Sequence, residues 1–278
     1  MSQKAAISFE FFPPKTDAGR EKLLNVTTPE LATVGPEFFS VTYGAGGSTR
    51  DNTRGTVDAL KKQGAAVAPH LSFGQDDRAA IVALLDHYRE AGVDRLVALR
   101  GDMPSGIGGS SRMVYANELV AFIREHSGDH FHIEVAAYPE VHPQADSYES
   151  DIGYLKGKFD AGADSAITQY FYNVEAYFYF LDRCAAAGIN KPIYAGIMPI
   201  TNYANLARFS RNCGAEIPRW ICKRLEGFAD DQASIREFGI EVVTQLSQTL
   251  LESGAPGIHF YTMNQTQPTL QICKNLGL

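Results

Sequence analysis

HIEVAAYPEVH, residues 132–142, is the stretch that decides the fold. A short run of strand-forming residues is closed by polar side chains, Tyr138, Glu140 and His142, among prolines that end it. The same arrangement recurs on both sides. Upstream, ISF (7–9) hands over to Glu10 and the block FFPP, FFSV (38–41) to Thr42 and Tyr43, AAVAP (65–69) to His70, and RLVALRG (95–101) to Asp102. Downstream, SAITQ (165–169) ends on Gln169, PIYAGIMP (192–199) on Met198 and Pro199, and GIHFYTMN (257–264) with Tyr261 and Asn264. Short apolar runs bounded by turn residues and separated by helix-length segments read as buried parallel strands. Eight of them, roughly 30 residues apart, predict a (β/α)8 TIM-type barrel, whose usual length is about 250 residues. In that fold the C-terminal strand ends share one face, where the chemistry sits. The residues closing the runs are therefore candidate site residues.

The segments between the runs have helical character. Residues 78–92, RAAIVALLDHYREAG, place apolar side chains at helical spacing, end on glycine, and have Asp76 or Asp77 available as a cap. NELVAFIREHSG (117–128) and VEAYFYFLDRCAAAG (174–188) repeat the pattern, the second opened by Asn173. The aromatic group AYFYF (176–180) belongs to core packing on that helix. A longer insertion, residues 202–254, lies between the seventh and eighth runs. It predicts a short helix near 204–212, a turn at Ile217-Pro218 and a long helix near 231–252. An insertion that starts at a C-terminal strand end stands over the active face. No linker or charge run marks a second domain, so residues 1–278 read as a single domain.

Composition sets limits. The chain has 278 residues, 45% of them hydrophobic, enough for one sizeable core. A net charge of −7 carries no basic footprint, which argues against nucleic acid as a partner. The four cysteines, Cys184, Cys213, Cys222 and Cys273, form no CxxC and read as reduced thiols. The start MSQKAAIS lacks an apolar signal core, and no run approaches the ~20 apolar residues of a membrane span. A cytoplasmic protein is expected.

Several motifs carry less than their appearance. GAGGST (44–49) has Thr49 where a dinucleotide loop has its third glycine, and reads as a loop needing positive φ. SGIGGSS (105–111) is a loop beside the site. No HxxxH or HExxH is present, and no metal site is expected. His130 and His132 stand at a strand start and read as structural, and His259, inside a strand, as a core histidine. His70 and His142, at strand ends, read as ligand contacts. Glu10 lies between hydrophobic neighbours; desolvation there raises a carboxyl pKa and suits it to general-acid work. Asp102 follows Arg100, a cation able to keep it ionised, either as a structural ion pair or as the second of two carboxylates with divided roles.

Taken in order, FEFFPPK, SVTYGAGGSTRD, APHL, LVALRGD, AAYPEVHP, LKGKFDAGAD, AITQYFY and HFYTMN resemble the methylenetetrahydrofolate reductases of the short bacterial type, from Ile7 to Gly277. The resemblance implies a flavoprotein barrel that reduces 5,10-methylenetetrahydrofolate to 5-methyltetrahydrofolate. NADH or NADPH supplies the electrons through bound FAD in a ping-pong cycle that feeds methionine synthesis. It makes Glu10 the acid that protonates N10 of the folate, and Asp102 the carboxylate beside the flavin. It assigns FAD contacts to Thr42, Tyr43, Ala45, His70, Arg100, Gly101, Asp102, Tyr115, Tyr138, His142, Asp151 and Lys158, with Lys158 facing the pyrophosphate. Gln169 and Phe209 are implied to meet both folate and nicotinamide. A homo-oligomer is expected.

Two positions depart from the family pattern. Gln265 stands where an arginine meets the folate tail, and Tyr154 where a small amide lies near the flavin. The regulatory domain of the eukaryotic enzymes is expected to be absent. Two readings from other classes stay open. One is a metal-dependent lyase or aldolase barrel using Glu10, His70, Asp102 and His142. The other is a non-catalytic flavin- or pterin-binding barrel.

Overall fold

The computed structural model describes residues 5–43, 50–73, 78–100 and 115–278. Eight strands close into a parallel barrel in chain order. They are β1 (Ala6–Phe11), β2 (Phe38–Val41), β3 (Val67–Leu71), β4 (Arg95–Ala98), β5 (His132–Ala137), β6 (Ser165–Thr168), β7 (Ile193–Ile197) and β8 (Gly257–Tyr261). The seam between β1 and β8 pairs Ala6 with Gly257 through to Glu10 with Tyr261. Helices α1 (Asp17–Lys22) and α2 (Thr28–Ala32), joined by a π-helical turn at Leu23–Thr27, follow β1. The next five strands are each followed by one helix: α3 (Arg50–Lys62), α4 (Arg78–Glu90), α5 (Ala116–Ser127), α6 (Tyr148–Asp160) and α7 (Val174–Ala186). Three helices, α8 (Tyr203–Cys213), α9 (Arg219–Phe228) and α10 (Gln232–Glu252), lie between β7 and β8, and α11 (Thr269–Asn275) follows β8. This is the expected (β/α)8 barrel with its insertion between the seventh and eighth strands.

Local signals explain the helices. Asn173 opens α7 by accepting from the Glu175 amide, and Tyr177, Phe180 and Cys184 form its buried stripe. Asp231 opens α10 by accepting from the Ala233 and Ser234 amides. The turn expected at Ile217-Pro218 leads directly into α9. Pro218 sits at that helix's N-cap, and only Ile221 and Leu225, four residues apart, are buried.

The strands face two cores. Outward, Phe9, Phe11, Phe39 and Phe260 pack under the helices, with Phe11 and Phe39 stacked at 5.2 Å. Inward, Phe38, Ala68, Val97 and Ile167 form a thin apolar layer. Below it, at the strand N-termini, Glu134 is fully buried and accepts from Arg95 Nη1 and, at 2.6 Å, from Ser165 Oγ. Burial pushes the Glu134 pKa up, but hydrogen bonding to His132 and Ser165 and the Arg95 charge outweigh it and hold the carboxyl below its ordinary range. His130 Nε2 lies 3.0 Å from Val93 O, placed to donate to that carbonyl.

Above the apolar layer, His259 Nδ1 meets Ser8 Oγ at 2.7 Å. Tyr261 reaches across β7 to donate to Thr168 O at 2.6 Å. Gly196 makes that crossing possible: a Cβ there would lie 1.9 Å from Thr168 O and 2.8 Å from the Tyr261 ring. The barrel is thus filled up to its C-terminal mouth, and the open space lies above. Among the described residues no helix is long and apolar enough to cross a membrane.

Candidate active site

Glu10 and His70, expected at strand ends, are each the last residue but one of β1 and β3, whose ladder pairing runs on to Phe11 and Leu71. The Glu10 backbone is fixed between Ser40 and Tyr261, and its carbonyl accepts from Thr262 Oγ1 at 2.6 Å. Its side chain turns inward, is 9% exposed as a residue, and sits 3.4 Å from His70 Nε2 and 3.7 Å from His259 Nε2. Burial pushes the His70 pKa down to about 4 against the opposing pull of Glu10, so its ring is neutral near pH 7. The contact with Glu10 is therefore not an ion pair. His259 is the buried core histidine read from the sequence, and its Nε2 also faces the Glu10 carboxyl.

One cavity of about 850 Å³ opens beside Glu10, near the upper end of the usual range for small-molecule sites. Thr42, Tyr43, His70, Arg100, Tyr115, Tyr138, His142, Asp151 and Lys158 line it together with Glu10. Ala45, Gly101, Asp102 and both glycine-rich stretches lie outside the described residues. Gln169, Phe209 and Gln265 are not part of this lining. Gln169 bonds the Tyr170 amide, Gln265 is exposed after β8, and Phe209 is on α8 beneath Arg208.

Polar contacts hold the far wall in place. Asp151 Oδ2 accepts from the His142 amide at 2.8 Å, and His142 Nδ1 accepts from the Gln144 amide at 3.0 Å. The His142 ring stands edge-on to Tyr138 at 4.5 Å. Arg100 donates to Gln144 Oε1. Lys158 donates to Ala136 O at 2.7 Å, and burial pushes its pKa down to about 8 against the pull of Asp151. Burial also raises the Asp151 carboxyl, with the His142 amide and Lys158 opposing. Burial lowers the His142 imidazole, so this wall offers two cations and a neutral ring.

The donor set fits a dinucleotide carrying a pyrophosphate and a polar planar ring. Lys158 and Arg100 are cations on the cavity wall, suited to phosphate oxygens. Thr42 Oγ1 and His70 Nε2 line the cavity, are buried, and have no hydrogen-bond partner among the described residues. Buried polar atoms are rarely left so, and a bound polar ligand would satisfy both. The lyase alternative uses Glu10, His70, Asp102 and His142 around one ion. Asp102 lies outside the described residues, and among those described no three His, Cys, Asp or Glu side chains are placed to hold a metal.

Some of the lining escaped the sequence reading. Gln144, which holds Arg100, sits in a loop with no periodic signal. Gly153 and Gly157 on α6 also line the cavity. Their helical spacing around Asp151, Tyr154 and Lys158 was available as a signal.

Comparison with known proteins accounts for this combination. The family description of methylenetetrahydrofolate reductase matches residues 1–277. The 5,10-methylenetetrahydrofolate reductase of Pectobacterium carotovorum subsp. carotovorum is 40% identical over 273 residues, covering 98% of this chain and 90% of that protein. The enzyme of the same name from Escherichia coli (strain K12) is 38% identical over the same coverage. Methylenetetrahydrofolate reductase (NADH) 1 of Arabidopsis thaliana is 37% identical, with 99% of this chain matching 49% of that protein. Among solved structures, a Clostridium thermocellum protein that binds two copies of 5-methyl-5,6,7,8-tetrahydrofolic acid superposes with a TM-score of 0.65. At 18% identity, over 99% of this chain and 94% of that one, it shares the fold. Whole-chain matches at this identity make the chain an oxidoreductase and a member of the methylenetetrahydrofolate reductase family.

Proposed function

We propose that this protein reduces 5,10-methylenetetrahydrofolate to 5-methyltetrahydrofolate with electrons from NADH or NADPH through FAD, in a ping-pong cycle. The product would supply methyl groups for methionine synthesis in the cytoplasm. The observation that carries the reading is the meeting of Glu10 with His70, Thr42, Arg100 and Lys158 around one cavity at the C-terminal strand ends. FAD, when bound there, supplies the chemistry of hydride transfer between nicotinamide and folate.

The chain's own residues do the rest. Lys158 and Arg100 take the pyrophosphate, while Thr42 Oγ1 and His70 Nε2 meet polar atoms of the cofactor. Tyr43, Tyr115 and Tyr138 supply aromatic walls. Glu10 delivers a proton to N10 of the folate, which opens the five-membered ring to an iminium ion. Gln169, Phe209 and Gln265 complete the folate side. Asp102, the carboxylate assigned beside the flavin, belongs to the same proposal.

The test is spectroscopic. Acid precipitation of the purified protein should release FAD; anaerobic NADH or NADPH should bleach the bound flavin, and methylenetetrahydrofolate should restore its colour. A protein that neither contains nor takes up FAD would sink the reading.

A further inference from the structure

Glu140, in the loop after β5, is not among the residues lining the cavity, yet it is partly buried in a tight join between two loops. Its Oε2 accepts from the Glu216 amide at 2.8 Å, across 76 positions of sequence. Its Oε1 is buried and has no hydrogen-bond partner among the described residues. Glu216 lies in the turn that ends α8 and leads to α9. The rest of the join is equally close. Gly214, at φ 77°, closes α8, and a Cβ there would meet Pro143 Cγ at 2.9 Å. Val141, a β-branched residue, is held at φ 72°, a costly conformation that surrounding contacts must impose.

The two sides of the join belong to different parts of the site. On one side, the residue after Val141 is His142, whose amide bonds Asp151 in the cofactor cavity. On the other, α8 carries Phe209, followed by Ser210. Tyr170 OH meets Ser210 Oγ at 3.0 Å, and Cys213 Sγ donates to Tyr170 OH at 3.4 Å. Helix α8 is therefore tied to the loop after β5 and to the residues after β6, and the Glu140 carboxyl is one of its fastenings. Burial raises this carboxyl to about 7, with the Glu216 amide opposing and the Glu216 charge adding.

We propose that Glu140 is a positioning residue, which sets α8, and with it Phe209, over the barrel mouth while leaving cofactor binding to the cavity wall. This rests on the reading of Phe209 as a substrate contact. The chain's single tryptophan, Trp220 on α9, is 58% exposed and edge-on to Phe238, so it reports on this region independently of turnover.

The experiment compares Glu140→Ala and Glu140→Gln in the FAD-loaded enzyme. The alanine variant removes a charge-assisted hydrogen bond and should raise KM for methylenetetrahydrofolate about tenfold, with kcat within about threefold of wild type. Acrylamide should quench its Trp220 more readily, while FAD affinity of the apoprotein stays unchanged. The glutamine variant keeps an acceptor for the Glu216 amide and should restore both KM and quenching. Unchanged quenching in Glu140→Ala would overturn the fastening itself. Increased quenching with unchanged KM would leave the fastening but overturn the substrate role of Phe209 and the positioning claim. Loss of FAD affinity in both variants would make Glu140 a structural part of the cofactor wall and overturn the proposal.

Discussion

Glu10→Gln should separate the two half-reactions. The Glu10 carbonyl stays bonded to Thr262, and its strand pairings to Ser40 and Tyr261 do not involve the side chain. The amide has nearly the size of the carboxyl, which lies 3.4 Å from His70 Nε2 and 3.7 Å from His259 Nε2. With no cavity created and no short side-chain hydrogen bond broken among the described residues, the stability change should stay below about 2 kcal/mol. Flavin reduction by the nicotinamide uses no proton from Glu10 and should remain within about tenfold of wild type. Flavin reoxidation by methylenetetrahydrofolate loses its acid, which costs about 10²–10⁴-fold, or about 3–5 kcal/mol of barrier. Anaerobic stopped-flow absorbance measures each half separately. Equal losses in both would show that Glu10 holds the site together structurally, and an intact folate half would assign the acid to another group.

Lys158→Met should weaken FAD binding about 10–100-fold, the cost of one charge-assisted phosphate contact. In the apoprotein the Lys158 pKa is lowered to about 8, so between that value and the unfolded value near 10.4 the folded state binds fewer protons. Its contribution to apoprotein stability therefore rises with pH across that window. FAD affinity should fall above about pH 8 in wild type and stay flat in the variant, as read by titration of the apoprotein. Gly196→Ala would put a methyl group 1.9 Å from Thr168 O and should destabilise the protein by about 3 kcal/mol in urea unfolding. Tyr154→Ala removes a half-exposed ring from the cavity wall and should weaken FAD binding about fivefold, the worth of one aromatic contact; unchanged affinity would show that the ring does not touch the cofactor.

Much of the site was legible because a parallel barrel has a simple rule of address. A residue that closes an apolar run arrives at the mouth, and Thr42, Tyr43, His70, Tyr138 and His142 do line one cavity. The limits of strands were less legible. Ladder pairing carries β1 one residue past Glu10 to Phe11 and β3 one residue past His70 to Leu71, a limit that local composition does not mark. Helix α9 was hidden because two buried residues, Ile221 and Leu225, make a weak periodic signal beside Pro218.

The sequence by itself determined the barrel, the insertion between the seventh and eighth strands, the helix cap at Asn173, and the family. Each is written in local periodicity, in capping chemistry or in motifs read in order. Only the tertiary structure decided that His259 lies 3.7 Å from Glu10, that Tyr261 crosses over Gly196, and that Glu140 fastens the turn at Glu216. These contacts join residues 76 to 249 positions apart or depend on the space left by a missing side chain. No local pattern encodes them, because they arise from where the closed barrel brings distant chain segments together.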